Sequence, residues 1–134
     1  MGALTIDASV AVRVAIDHEA HAPMMDRLLR AEAIYAPSIF VVETANALCK
    51  YVRGKHLAQA EALAIHRSAV ELIDRSIDSG ELFPEAFVLA SQWQHPVYDA
   101  LYLITARRTS STLLTLDKAL AELAGKLDIA VVMN

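Results

Sequence analysis

Apolar residues along this chain come in two rhythms. Short unbroken runs, Ala3 to Ile6, Ala33 to Ala36, Thr112 to Leu116 and Ile129 to Val132, read as buried strands of a parallel sheet. Between them the spacing is helical. The first strand ends on Asp7, and Ser9 offers a cap for a helix from Val10 to Ile16. Residues 17–23 read as a polar loop before a helix from Met24 to Ala31, with Met25, Leu28 and Leu29 on its apolar face. Pro37 stops the second strand, and Ser38 caps a helix from Ile39 to Arg53 that Gly54 closes. Its apolar stripe is Val41, Ala45, Leu48 and Val52, while Glu43, Asn46, Lys50 and Arg53 form another. After a turn at Lys55 and His56, a helix spans Leu57 to Arg75, with Ala62, Ile65, Ala69, Leu72 and Ile73 as its stripe. Ser76 to Asp78 reads as a short edge strand. Ser79 and Gly80 then turn the chain into a helix from Leu82 to Trp93, with Pro84 in its first turn. Beyond Gln94 to Pro96, the segment Val97 to Arg108 is apolar nearly all round, the mark of a buried helix. The strand at Thr112 to Leu116 ends on Asp117, and a helix runs from Lys118 to Ala124 with Gly125 at its end. Strands alternating with helices define an α/β fold with a parallel sheet.

Composition narrows the picture. The 134 residues fit one domain spanning 1–134, large enough to bury a core without disulfides. The apolar share, 55%, exceeds the usual 45–50% or thereabouts, which implies an extra apolar face covered by a homodimer partner or another protein. A net charge of −4 argues against a protein that simply coats a polyanion, so any nucleic-acid grip must be local. The single Cys49 excludes an internal disulfide, reads as inert core on its helix, and suits a cytoplasmic setting. Met1 to Ile6 lacks the basic start of a secretory signal, and no apolar run is long enough to span a bilayer.

Four carboxylates stand out by context. Asp7 and Asp117 each end a buried strand, Glu43 sits on a mostly apolar helix, and Asp99 opens a buried one. Carboxylates are rarely buried unpaired, and none of the four has a Lys or Arg partner evident from the sequence. Each has an ordinary explanation. Asp117 could cap the helix after it, Asp99 could favour a helix N-terminus, and Glu43 could face solvent. Asp7 resists that explanation, since Ser9 already offers a cap. In open parallel sheets, ligands bind outside the carboxyl ends of the strands, where strand order reverses. Two strand ends meeting there would set Asp7 and Asp117 close together, and like charges at such range need a cation or a shared proton. Oxygen-only ligands select a hard ion, Mg²⁺ or Mn²⁺. That is the layout of metal-assisted phosphodiester hydrolysis.

At these residues the chain resembles the PIN-domain ribonucleases, in particular the VapC-like toxins of type II toxin–antitoxin pairs. Ile6 to Ser9 resembles the family's opening motif, Glu43 to Leu48 its E-x-x-N-x-L helix, Tyr98 to Leu103 its Y-D-A-x-Y-L segment, and Leu114 to Asp117 its fourth motif. The resemblance covers nearly the whole chain. It implies a three-layer α/β/α PIN-like fold with a five-stranded parallel sheet in the order 3-2-1-4-5. It also implies Mg²⁺- or Mn²⁺-dependent endoribonuclease cleavage of single-stranded RNA, and a small antitoxin as partner. Asp7, Glu43, Asp99 and Asp117 would then be the catalytic, metal-holding quartet. Ser9 and Thr115 would support the pocket, and Asn46 would orient Glu43 or a water.

Arg13, Lys50 and Arg53 are candidates for the RNA backbone. Tyr98 and Tyr102 could stack bases, though core packing suits them better. Two other classes compete: an aspartate-based phosphohydrolase, for which the D-x-D signature fails at Ser9, and a non-catalytic RNA- or protein-binding module, against which all four acidic positions are filled. His18 and His21 stand three apart in a loop rather than four apart on a helix, and His56, His66 and His95 show no ligand spacing.

Overall fold

The computed structural model describes residues 2–133. Five parallel strands, β1 (Leu4–Ile6), β2 (Ile34–Pro37), β3 (Arg75–Ile77), β4 (Thr112–Leu114) and β5 (Val131–Val132), form one sheet in the order β3-β2-β1-β4-β5. Seven helices connect and flank them: α1 (Ala8–Ile16), α2 (Ala22–Arg30), α3 (Phe40–Arg53), α4 (Gln59–Glu71), α5 (Ser79–Trp93), α6 (Val97–Thr109) and α7 (Lys118–Lys126). The expected sheet order holds, and with it the placement that matters. β1 and β4 are neighbours, with Ile6 opposite Leu114, so the order reverses where both strands run out.

The apolar runs do what their pattern predicts. Ile6, Leu113 and Leu114 are fully buried, as are Leu101, Leu103 and Ile104 of α6, which packs against β1, β2 and β4. Each such side chain contributes about 1.5–3 kcal/mol over an exposed one. A smaller apolar cluster of Val12, Leu48 and Ala62 joins α1, α3 and α4.

Element ends depart from expectation, each for a local reason. Ser38 does not cap α3. Its hydroxyl accepts from the Ser79 amide at 2.9 Å while the Ser79 hydroxyl accepts from the Ile39 amide at 3.1 Å, which ties the starts of α3 and α5 together. The long helix stops at Glu71, because Asp74 pairs with Ile34 through backbone and side chain, both at 2.8 Å, and commits Arg75 to the edge strand. Asp78 caps α5 by accepting from the Gly80 amide, so α5 starts at Ser79 and Pro84 falls in its second turn. α2 starts at Ala22, with Pro23 in its first turn, and buries Met24 and Leu28 while Leu29 is 77% exposed. Pro37 belongs to β2, Cys49 is exposed, and Ile129 precedes β5 rather than opening it.

Candidate active site

Asp7 is where the strand pattern ends, and the fold uses its carboxylate heavily. It is the N-cap of α1: Oδ1 accepts from the Val10 amide at 3.2 Å and from the Ser9 hydroxyl at 2.6 Å, and Oδ2 accepts from the Thr115 hydroxyl. The cap expected at Ser9 is therefore supplied by Asp7. Ser9 instead donates to it and accepts from the Leu116 amide at 3.2 Å, joining α1 to the chain beyond β4. Thr115 is buried beneath, linked to Asp7 through its hydroxyl and to the Asp117 amide at 2.9 Å. Asp117 caps α7 through the Leu120 amide at 3.1 Å and faces solvent.

Two helices deliver the other acids. Glu43 lies in the first turn of α3 and Asp99 in the first turn of α6. Asp7, Ser9, Glu43, Asn46, Lys50, Asp99, Tyr102 and Asp117 line one open cleft of ≈ 390 Å³. Asp7, Glu43 and Asp99 have pKa values above the ordinary carboxylate range, first because burial penalises the charged form. The acids also repel one another: Asp117 acts on Asp7 and Asp99, while Asp99 and Asp7 act on Glu43. Charges far apart in sequence thus share one site.

The remaining candidates divide. Lys50, seven residues beyond Glu43, lines the cleft. Arg53 does not: ten residues on, it has rotated by about 80° and moved roughly 15 Å along the axis. It lines an apolar groove between α3 and α4 with Leu48, Val52 and Ala62. Arg13 is exposed on α1 and outside the cleft. Asn46 lines the cleft, and Glu43 accepts at Oε1 from the Tyr102 hydroxyl at 2.6 Å. Tyr102 is 2% exposed, which removes it as a stacking platform; Tyr98 is 49% exposed. His95 stands one turn before Asp99, its Nδ1 3.6 Å from Oδ2 and without a hydrogen bond. The offset of +3 from Asp99 was the available signal for Tyr102, since residues so spaced share a helix face; His95 precedes α6, so no helical spacing points to it.

The donor set is all oxygen, which suits a hard divalent cation. Among the described residues, no three carboxylate, imidazole or thiol groups stand close enough to grip an ion as they are.

A doubly wound parallel sheet with acidic residues gathered at its switch point defines the class, an α/β domain built around a carboxylate cleft. The model of the PIN domain matches residues 4–126, and the chain belongs to that family. It is similar to ribonuclease VapC3 of Pyrobaculum aerophilum, 29% identical over 121 residues, covering 89% of this chain and 92% of the relative. Two solved structures share the fold. VapBC2 of Rickettsia felis, bound to a DNA fragment from its promoter, matches with TM-score 0.68 and 13% identity over 97% of each chain. VapC20 of Mycobacterium tuberculosis, a toxin cleaving the sarcin–ricin loop, matches with TM-score 0.68 and 13% identity over 90% of this chain and 94% of that one.

Proposed function

We propose that this chain is a divalent-cation-dependent endoribonuclease that cuts single-stranded regions of RNA, and that it is the toxin of a toxin–antitoxin pair. The observation that carries the reading is the convergence of Asp7, Glu43, Asp99 and Asp117 on one cleft of a PIN-family fold, with three of them raised in pKa. The similarity to a VapC ribonuclease supports the substrate class, and the toxin–antitoxin assembly among the structural relatives supports a small antitoxin as partner. Some of the four carboxylates, together with waters, would hold Mg²⁺ or Mn²⁺, which when bound would neutralise charge at the scissile phosphate and activate the attacking water.

The chain's own residues supply the rest. Asp7 is fixed by three hydrogen bonds and keeps its place whatever the substrate does. Glu43 and Asp99, less encumbered and raised in pKa, are the groups suited to take a proton from the attacking water, because a carboxylate with a raised pKa is a stronger base. Lys50 brings a positive charge into an otherwise acidic cleft, where a phosphate of the RNA backbone would meet it. An aspartyl-phosphate mechanism is disfavoured: the second carboxylate of its D-x-D signature is missing, and Ser9 in that place donates to Asp7.

The test uses the purified protein and an RNA with exposed loops. Cleavage should require Mn²⁺ or Mg²⁺, stop with EDTA, and disappear in Asp7→Asn. Undiminished cutting by a folded Asp7→Asn protein refutes the reading.

A further inference from the structure

Among the described residues that line the cleft, Tyr102 is the aromatic one, and it sits in the same Tyr98 to Leu103 segment as Asp99 without being one of the four acids. Its position follows from α6. Three residues after Asp99, it lies on the same helix face, so the element that delivers one acid to the cleft also delivers this hydroxyl. The ring is buried among the apolar side chains of α6 and the sheet, which fixes its rotamer. The hydroxyl, held by that ring, donates to Glu43 Oε1 at 2.6 Å, a contact across 59 residues of sequence. No other side-chain or backbone hydrogen bond reaches the Glu43 carboxylate among the described residues. Oε1 is therefore committed and Oε2 is left for the cleft.

We propose that Tyr102 is a positioning residue: it clamps one oxygen of Glu43 so that the other meets a divalent cation or its water in a fixed orientation. The inference rests on the cation-dependent reading of the cleft and names a residue through which that site is set. Two features support the direction of the effect. A free glutamate on an exposed helix turn samples several rotamers, and one buried donor removes most of that freedom. Hydrogen bonds to a carboxylate are stronger than neutral ones, so a single contact suffices to bias the rotamer. Outer partners of metal-holding carboxylates of this kind are worth about 10–100-fold in metal affinity or activity.

The experiment is Tyr102→Phe, which removes the hydroxyl and keeps the ring, compared with Glu43→Gln and the double variant. Mn²⁺ binding is followed on the RNA-free protein by the loss of the free-ion EPR signal, and cleavage by kcat and KM. Tyr102→Phe should weaken Mn²⁺ binding by about 10-fold or more and lower kcat, with KM for RNA and the melting temperature little changed. In the Glu43→Gln background the same change should add almost nothing, because the partner through which it acts is already altered. Wild-type Mn²⁺ affinity in Tyr102→Phe, or an equal loss in both backgrounds, overturns the role. A wild type whose Mn²⁺ binding depends on Tyr102 but which cuts no RNA overturns the ribonuclease reading and supports the positioning role.

Discussion

The acidic cleft has two unlike halves. At the strand ends, Asp7 and Asp117 are parts of the fold: each caps a helix, and Thr115 ties them together across the β1–β4 boundary. On the helix side, Glu43 and Asp99 cap nothing, and each has one neighbour, Tyr102 for Glu43 and His95 for Asp99. The first pair is held by the backbone amides that the fold must satisfy anyway. Repulsion reaches both pairs, but in the second it comes with little structural return. One half therefore couples stability to chemistry, and the other sets them against each other.

The largest effect should come from Asp7→Ala. It removes the cap of α1 and an acid of the cleft together, so cleavage should fall by about 100-fold or more and stability by about 1–2 kcal/mol. Chemical denaturation and RNA cleavage on the same preparation check both, and a loss of cleavage at unchanged stability would erase the contrast between the halves.

Asp99→Asn should separate the two quantities. Cleavage should again drop steeply, but without divalent cations the variant should melt about 3 °C higher at neutral pH, since a half-buried charge beside Asp117 and Asp7 is removed. The sign follows from the raised pKa. A carboxyl that binds its proton more tightly when folded stabilises the fold below its ordinary value of 3.8, and that contribution is lost as pH rises through the raised value. The gain in melting temperature should therefore shrink toward zero in acid, where wild-type Asp99 is already neutral. Thermal melts in EDTA at stepped pH measure it, and a gain independent of pH would show that repulsion is not its source.

The smallest change is remote from both halves. Ser110 closes α6 with φ 51°, in the left-handed region that costs any residue with a Cβ. Ser110→Gly should add about 0.5–1 kcal/mol and leave cleavage alone. A change in cleavage would mean that α6 transmits its end geometry to Asp99 and Tyr102.

Most of the secondary structure was legible because the two apolar rhythms are strong. A run such as Leu113 and Leu114 has nowhere to go but the middle of a sheet, and α6 is apolar nearly all round between Asp99 and Arg107. Element ends were less legible, because short polar side chains choose partners across space. Ser38 found Ser79, and Asp74 found Ile34, both about 40 residues away. Among the described residues, no helix is long and apolar enough to cross a membrane.

Sequence alone determined which residues carry charge at the ends of buried strands, since an acid that interrupts an apolar run declares itself by contrast. It also set Lys50 on the face of Glu43, because helical periodicity is local and accurate over two turns. Tertiary structure decided the rest: that Asp7 and not Ser9 caps α1, that Arg53 leaves the cleft for the groove, and that the Tyr102 hydroxyl reaches Glu43. These are contacts between elements, fixed by how α3 and α6 pack beside the sheet, and no spacing within one element encodes the distance between two.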